Sequence, residues 1–192
     1  MEYFTLFMGA VIVNNFVLTR FLGLCIFFGV SKSLDASLGM GVAVTSIMTL
    51  SSTLAWVVYH FVLHPYGLEF LKTVVFVILI ACFVQLLEMI IKKHSPTLYN
   101  MWGIYLVLIA TNCIVFGVPV INAESGFNFI QSIVNSFGSG VGFAVAIVLM
   151  ASLREKLRYA AVPKSLDGLG IAFILAGLLA LSFFGFSGMI PA

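Results

Sequence analysis

Cys25-Ile26-Phe27-Phe28-Gly29-Val30 and Cys113-Ile114-Val115-Phe116-Gly117-Val118 are two copies of one phrase, each set inside an apolar stretch. They stand 88 positions apart (113 − 25), close to half of the 192 residues. A second echo, Ser37-Leu38-Gly39-Met40-Gly41-Val42 against Ser136-Phe137-Gly138-Ser139-Gly140-Val141, follows at an offset of 99 (136 − 37). The additional 11 residues (99 − 88) place an insertion around 122–131. Phe76-Val77-Ile78-Leu79 against Phe173-Ile174-Leu175-Ala176 extends the match weakly. The chain therefore reads as two related units, 1–95 and 96–192, within a single membrane domain.

Composition sets the class. Hydrophobic residues make up 62% and charged residues 8%, and the mean hydropathy is +1.19. A soluble domain of that balance could not cover itself with polar surface. The net charge of +2 is too small to suggest nucleic acid as a partner. Three cysteines, an odd and low count, argue against a disulfide framework. Glu2 stands where a leader peptide would carry basic residues, and the first apolar run is long enough to span, so no cleavable signal is expected.

Six apolar stretches, 4–30, 36–63, 68–91, 98–121, 128–152 and 168–190, are each close to the length that crosses a bilayer. All must be helical, because lipid offers no partner to an open peptide group. The expected fold is all-α and integral to the membrane. Basic residues orient it: Lys32, Lys92, Lys93, Arg154, Lys156, Arg158 and Lys164 share one side, whereas Lys72 stands opposite with Glu2, Glu69 and Glu124. The positive-inside rule puts both termini outside a prokaryotic cytoplasmic membrane. Three spans per half is an odd number, so the second half runs upside down. That is a 3+3 inverted-topology repeat, a class that places its site near the midplane at broken helices.

Cys25 lies about 10 Å from one boundary of the hydrocarbon and Cys113 about 12 Å from the other, at 1.5 Å of rise per residue. In a core ~30 Å thick, straight helices would leave the two thiols about 8 Å apart in depth. If they share one cofactor, spans one and four must break, near Gly23 and near Thr111-Asn112. Cysteine is commonly a small apolar filler, the reading given to Cys82, whose counterpart in the second half is Leu179. The repeated pair keeps sulfur where neighbours have diverged. A disulfide between them is one alternative; the other is a metal, since unpaired buried thiolates would be protonated. Zinc or a 2Fe-2S cluster normally takes four ligands, so two more must come from another chain.

Arg20 is the only charged residue deep in a span, and such residues are read first as functional. On an unbroken helix it would lie within ~8 Å of Cys25, and its charge would favour a reduced cluster; the plain alternative is a snorkelling or interface arginine. Asn14, Asn15, Thr111 and Asn112 are polar groups at depth, suited to broken backbone or to cluster sulfur. Glu88 beside Lys92 reads as interfacial. His60 and His64 have metal-ligand spacing but end a span on the outer face. Phe27-Phe28 and Phe183-Phe184 read as packing or lipid-facing residues.

Asn14-Asn15-Phe16-Val17-Leu18-Thr19-Arg20-Phe21-Leu22-Gly23-Leu24-Cys25 resembles the first-span signature of the A subunits of Rnf complexes, the ion-translocating ferredoxin:NAD+ oxidoreductases. Thr111-Asn112-Cys113 resembles that family's second cysteine motif, and Arg154-Glu155-Lys156-Leu157 with Val162-Pro163 resembles its C-terminal third. The resemblance covers essentially the whole chain. The E subunit of the sodium-translocating NADH:quinone oxidoreductase is a close cousin, but its first motif usually lacks the Thr-Arg pair.

The resemblance implies a membrane protein paired with a homologous E subunit of opposite topology, working with the B, C, D and G subunits of the same complex. It implies one 2Fe-2S cluster held at mid-membrane by Cys25, Cys113 and two cysteines of that partner. Arg20, Gly23, Thr111 and Asn112 would then surround the cluster, with flavins and other iron–sulfur clusters on partner subunits only. The chain would not be catalytic alone: electrons would pass through the cluster in coupling to Na+ or H+ movement. Two other classes compete. A secondary transporter would share the inverted repeat, though the spans offer almost no acidic groups for cation coupling. A structural scaffold would leave both cysteines expendable.

Overall fold

The first apolar stretch does not form one helix. The computed structural model describes residues 2–31, 33–67, 69–94, 109, 112–157, 159 and 168–186, and among these every regular element is helical. Helix α1 (Glu2–Met8) widens into a π-helical turn over Gly9–Val13, closed by the Asn14 N–H donating to the Gly9 carbonyl at 2.7 Å. A short α2 (Phe16–Thr19) follows, and then α3 (Leu24–Val30). The stretch is thus interrupted twice, at Asn14-Asn15 and again at 20–23. The second interruption falls at Gly23, the position expected to break if Cys25 and Cys113 share one cofactor.

Each interruption has a local cause. Asn15 is extended, and its Oδ1 accepts the Val17 N–H at 3.2 Å, starting α2 as a side-chain cap. Its Nδ2 donates to the Gly142 carbonyl at 2.8 Å, fastening this break to a distant helix. At the second break Phe21 (φ 56°) and Gly23 (φ 85°) both take the left-handed region. That conformation suits glycine and strains phenylalanine.

The remaining elements are α4 (Leu34–Val58), α5 (Lys72–His94), α6 (Cys113–Glu124), α7 (Phe129–Leu157) and α8 (Leu169–Phe184). Helix α4 continues through a π-turn at Tyr59–Leu63 to Tyr66, where Gly67 (φ 63°) ends it. Leu34–Leu63, Lys72–Ile90 and Phe129–Leu157 are long and apolar enough to cross a membrane. The hydroxyls of Thr45, Ser46, Thr49 and Thr53 donate to the carbonyl four residues back, so α4 carries them at no polar cost.

Helices α4 and α7 form the centre. A Cβ placed on Gly41 would stand 2.8 Å from the Cβ of Ala144, and one on Gly140 would stand 2.7 Å from Cγ2 of Thr45. These two contacts exchange under the offset of 99: Gly41 corresponds to Gly140, and Thr45 to Ala144. Such an exchange is the pattern that an antiparallel pair of helices gives, since the contacting positions add to the same number (41 + 144 and 45 + 140). Farther along, Ser52 Oγ lies 3.3 Å from Ser132 Oγ, so the contacts advance along α4 as they retreat along α7. The two helices are antiparallel. Small residues permit this close approach, which dispersion rather than water exclusion must hold in lipid.

Around that crossing, Phe27, Met48, Ile114, Phe143, Ile147 and Met150 are fully buried. Opposite ends of the bundle are pinned separately. At one end Trp56 Nε1 donates to the Phe127 carbonyl at 3.0 Å, and Lys72 pairs with Glu124 at 3.2 Å. At the other, Arg154 Nη1 donates to the Phe28 carbonyl at 3.0 Å and to Ser31 Oγ at 2.9 Å. Large apolar side chains along α5 and α8 point outward, including Val74, Ile78, Leu86, Phe173 and Leu181. That is the surface a bilayer requires.

Several boundaries shift from those expected. Lys92 and Lys93 lie within α5, and Arg154 and Lys156 in the last turn of α7, where cations favour the carboxyl end of a helix. Asn122, expected in a loop, is helical and buried. The insertion lengthens helices rather than a loop, because α6 runs to Glu124 and α7 already begins at Phe129. Of span four, 98–108, 110 and 111 lie outside the described residues.

Candidate cofactor site at two helix breaks

Cys25 is the second residue of α3, and Cys113 is the first of α6. Both are free thiols exposed on the surface of the chain. The residues directly behind them, Ile26 and Ile114, are fully buried. Each cysteine therefore stands at the rim of the core and faces outward.

The two breaks touch. A Cβ on Gly23, which caps α3, would lie 3.1 Å from Oδ1 of Asn112, which caps α6, and 3.4 Å from Cγ2 of Ile114. Leu22 Cδ1 would lie 3.1 Å from a Cβ on Gly117. The amino-terminal starts of two helical segments thus meet, with a cysteine in the first turn of each. The end of α6 carries the positive pole of its dipole, which favours negative charge gathered beside Cys113.

Asn112 is 1% exposed, and its Oδ1 accepts the Ile114 N–H at 3.2 Å. Its Nδ2 has no hydrogen-bond partner among the described residues. Thr111, also expected at the site, lies outside the described residues. Arg20 is exposed, with its guanidinium 5.5 Å from the centroid of the Phe16 ring. Because the backbone leaves the helix between Arg20 and Leu24, the helical-rise estimate of its distance to Cys25 does not apply.

Two residues matter here whose roles the sequence did not show. Arg154 reads as one of several loop cations, yet it holds the carboxyl end of α3. It also lines, with Cys25, Phe28 and Phe173, a cleft of about 650 Å³. Asn122 reads as a turn residue, yet its Nδ2 reaches Ser52 Oγ (3.0 Å), Ser132 Oγ (3.0 Å) and Ser136 Oγ (2.9 Å), and its Oδ1 accepts from Asn135 Nδ2 at 2.6 Å. That network fastens α6 to α4 and α7. Only the clustering of Ser and Asn within apolar runs could have signalled it.

Other candidates fall elsewhere. Cys82 lies exposed on α5, so it does not fill the core. The His60 ring stacks 4.9 Å from Trp56 and 6.2 Å from His64, an aromatic cluster at the end of the bundle. Phe27 is buried, and Phe28 packs 4.4 Å from Phe173. Among the described residues no three His, Cys, Asp or Glu side chains gather as a metal site. The donor set fits a cluster as half of a shared site: two outward thiols at touching helix starts, with an idle buried amide beside one of them.

The family described as Rnf-Nqr subunit, membrane protein, matches residues 3–190. The A subunit of the proton-translocating ferredoxin:NAD(+) oxidoreductase complex of Clostridium ljungdahlii is 76% identical over 189 residues, 98% of each chain. The A subunit of the Na(+)-translocating ferredoxin:NAD(+) oxidoreductase complex of Acetobacterium woodii is 54% identical over 181 residues, 94% of each chain. The A subunit of the ion-translocating oxidoreductase complex of Vibrio cholerae is 50% identical over 189 residues, 98% of each chain.

Proposed function

This chain belongs to the Rnf-Nqr family of membrane-protein subunits, and on that premise we propose that it is the A subunit of an ion-translocating ferredoxin:NAD+ oxidoreductase. In that role it lends Cys25 and Cys113 to a 2Fe-2S cluster shared with a homologous subunit. The carrying observation is the meeting of the two breaks at Gly23 and Asn112, with both thiols facing outward. A cluster needs four ligands; this chain offers two at one place, and a homologous partner offers the matching pair. The cluster, when bound, supplies a one-electron carrier within the membrane.

The chain's residues have the following roles in this reading. Cys25 and Cys113 coordinate iron. Gly23 lets α3 approach α6 without a side chain between them. Asn15, Asn112 and Arg154 hold the broken ends in place, and Arg20 and Thr111 border the site. The antiparallel run of α4 and α7, the second span of each half, supports the 3+3 inverted repeat. The basic end that holds Arg154 faces the cytoplasm, with both chain termini outside. Relatives named for proton and for Na(+) translocation are both similar along nearly all of this chain. In this reading the coupled ion is Na+ or H+.

Expression with and without the homologous partner tests the reading. The complex purified with its partner should carry a 2Fe-2S EPR signal on dithionite reduction, and this chain alone should carry none. A fully loaded cluster in the isolated chain would sink the shared site. A secondary transporter, the alternative class, would give no signal in either preparation.

A further inference from the structure

Two asparagines cap helices in this chain in the same way, and one of them leaves its amide idle. Asn15 Oδ1 accepts from Val17 N–H and Asn112 Oδ1 from Ile114 N–H, both at 3.2 Å and both two residues ahead. Both side chains are 1% exposed. Asn15 spends its Nδ2 on the Gly142 carbonyl at 2.8 Å, with the Val11 carbonyl at 3.4 Å. Asn112 Nδ2 has no partner among the described residues. The cap settles which end of the Asn112 amide is oxygen, because a flipped amide would set two donors against each other.

A buried amide group without a hydrogen bond is costly, and one kept in a native structure calls for an explanation, a redox role among them. The idle donor belongs to the residue immediately before Cys113. On the reading that Cys113 holds a shared 2Fe-2S cluster, we infer that the Asn112 Nδ2–H donates to a sulfur of that centre, either the Cys113 thiolate or a bridging sulfide. Negative charge on those sulfurs grows when the cluster takes an electron, so the hydrogen bond strengthens on reduction. Hydrogen bonds to cluster sulfurs are among the features that set reduction potential, and low local dielectric enlarges the effect. Asn112 therefore biases the centre toward its reduced form. Asn15, with its amide fully engaged in protein contacts, does not.

The test uses the complex with its partner, selectively labelled with ¹⁵N at asparagine side chains. Pulsed EPR of the reduced wild-type complex should show a ¹⁵N coupling to the cluster spin. In Asn112→Ser the hydroxyl oxygen preserves the cap while the amide donor is gone. That variant should keep its full EPR spin count and lose the coupling. Its midpoint should become more negative, with the reduced-to-oxidised ratio at fixed potential falling about tenfold, or about 59 mV for one electron. Asn128→Ser, at an exposed asparagine just before α7 and away from both breaks, should leave both coupling and midpoint unchanged. A wild-type 2Fe-2S signal without asparagine coupling would overturn this inference alone, as would an Asn112→Ser complex with the wild-type midpoint. A wild-type complex with no 2Fe-2S signal would overturn the shared-cluster reading, and this inference with it.

Discussion

Replacing Gly140 with alanine asks whether the α4–α7 crossing is set by backbone contact. The new Cβ would stand 2.7 Å from Cγ2, 2.8 Å from Cα and 2.9 Å from Cβ of Thr45. A rotamer change could remove the first clash, but Cα is backbone. Restoring an ordinary contact of about 3.4 Å requires the helices to part locally by about 0.6 Å. Parting them strains the Asn15–Gly142 bond and the Ser52–Asn122–Ser132 network on either side. Overpacking of this kind costs about 1–3 kcal/mol, against a helix-propensity gain of about 0.5–1 kcal/mol for alanine over glycine. The mid-range difference is a net loss of about 1 kcal/mol, and the upper limit about 2.5 kcal/mol; the mid-range value lowers Tm by roughly 2–4 °C for a chain of this size. Thermal unfolding of the detergent-solubilised protein would read it. Gly177→Ala, which meets nothing within 4 Å, is the control and should melt at or above the wild type. Thr45→Ser in the Gly140→Ala background removes Cγ2 but leaves Cα, so it should restore only part of the loss. A Gly140→Ala protein as stable as the wild type would refute the reasoning.

Further consequences follow from the site and the topology. Gly23→Ala puts a side chain at φ 85° and 3.1 Å from Asn112 Oδ1; the left-handed strain alone costs about 1–2 kcal/mol, and iron content of the purified complex should fall with Tm. Arg154→Met removes the donor to Phe28 and Ser31, a charged hydrogen-bond loss of about 1.5–3 kcal/mol. Arg154→Lys should be milder, and thiol-labelling rates at Cys25 should rise in the same order; equal rates in both would discount Arg154 as the anchor of α3. A reporter fused after Ala192 should read as external and one inserted within 158–164 as cytoplasmic, with the reverse result overturning the orientation.

What the sequence disclosed was what repeats or punctuates. Two thiols in a duplicated phrase pointed to the candidate site, and Gly23 marked a break because backbone freedom is written into the residue itself. Gly41 and Gly140 stood in the second echo, and their reciprocal contacts account for why small residues persist there. What stayed hidden depends on partners far along the chain. Asn15 starts α2 by a local cap, but the bond that fixes its break goes to Gly142. Asn122 looked like a turn residue because asparagine prefers turns. Its satisfaction by Ser52, Ser132, Ser136 and Asn135 outweighs that preference. Arg154 followed the positive-inside pattern, which hid its grip on α3, since charge sign carries no information about a carbonyl more than a hundred positions away.

The most direct test of the account is EPR of the dithionite-reduced complex carrying Cys25→Ser or Cys113→Ser. Serine keeps the size of the side chain but is a poor ligand for iron in a thiolate-held cluster, so loss of signal reports coordination rather than packing. Each variant should lose the mid-membrane 2Fe-2S signal and ion-coupled electron transfer, whereas Cys82→Ser, on the outer face of α5, should lose neither. A full 2Fe-2S signal in Cys25→Ser would contradict the claim that the repeated cysteines are its ligands.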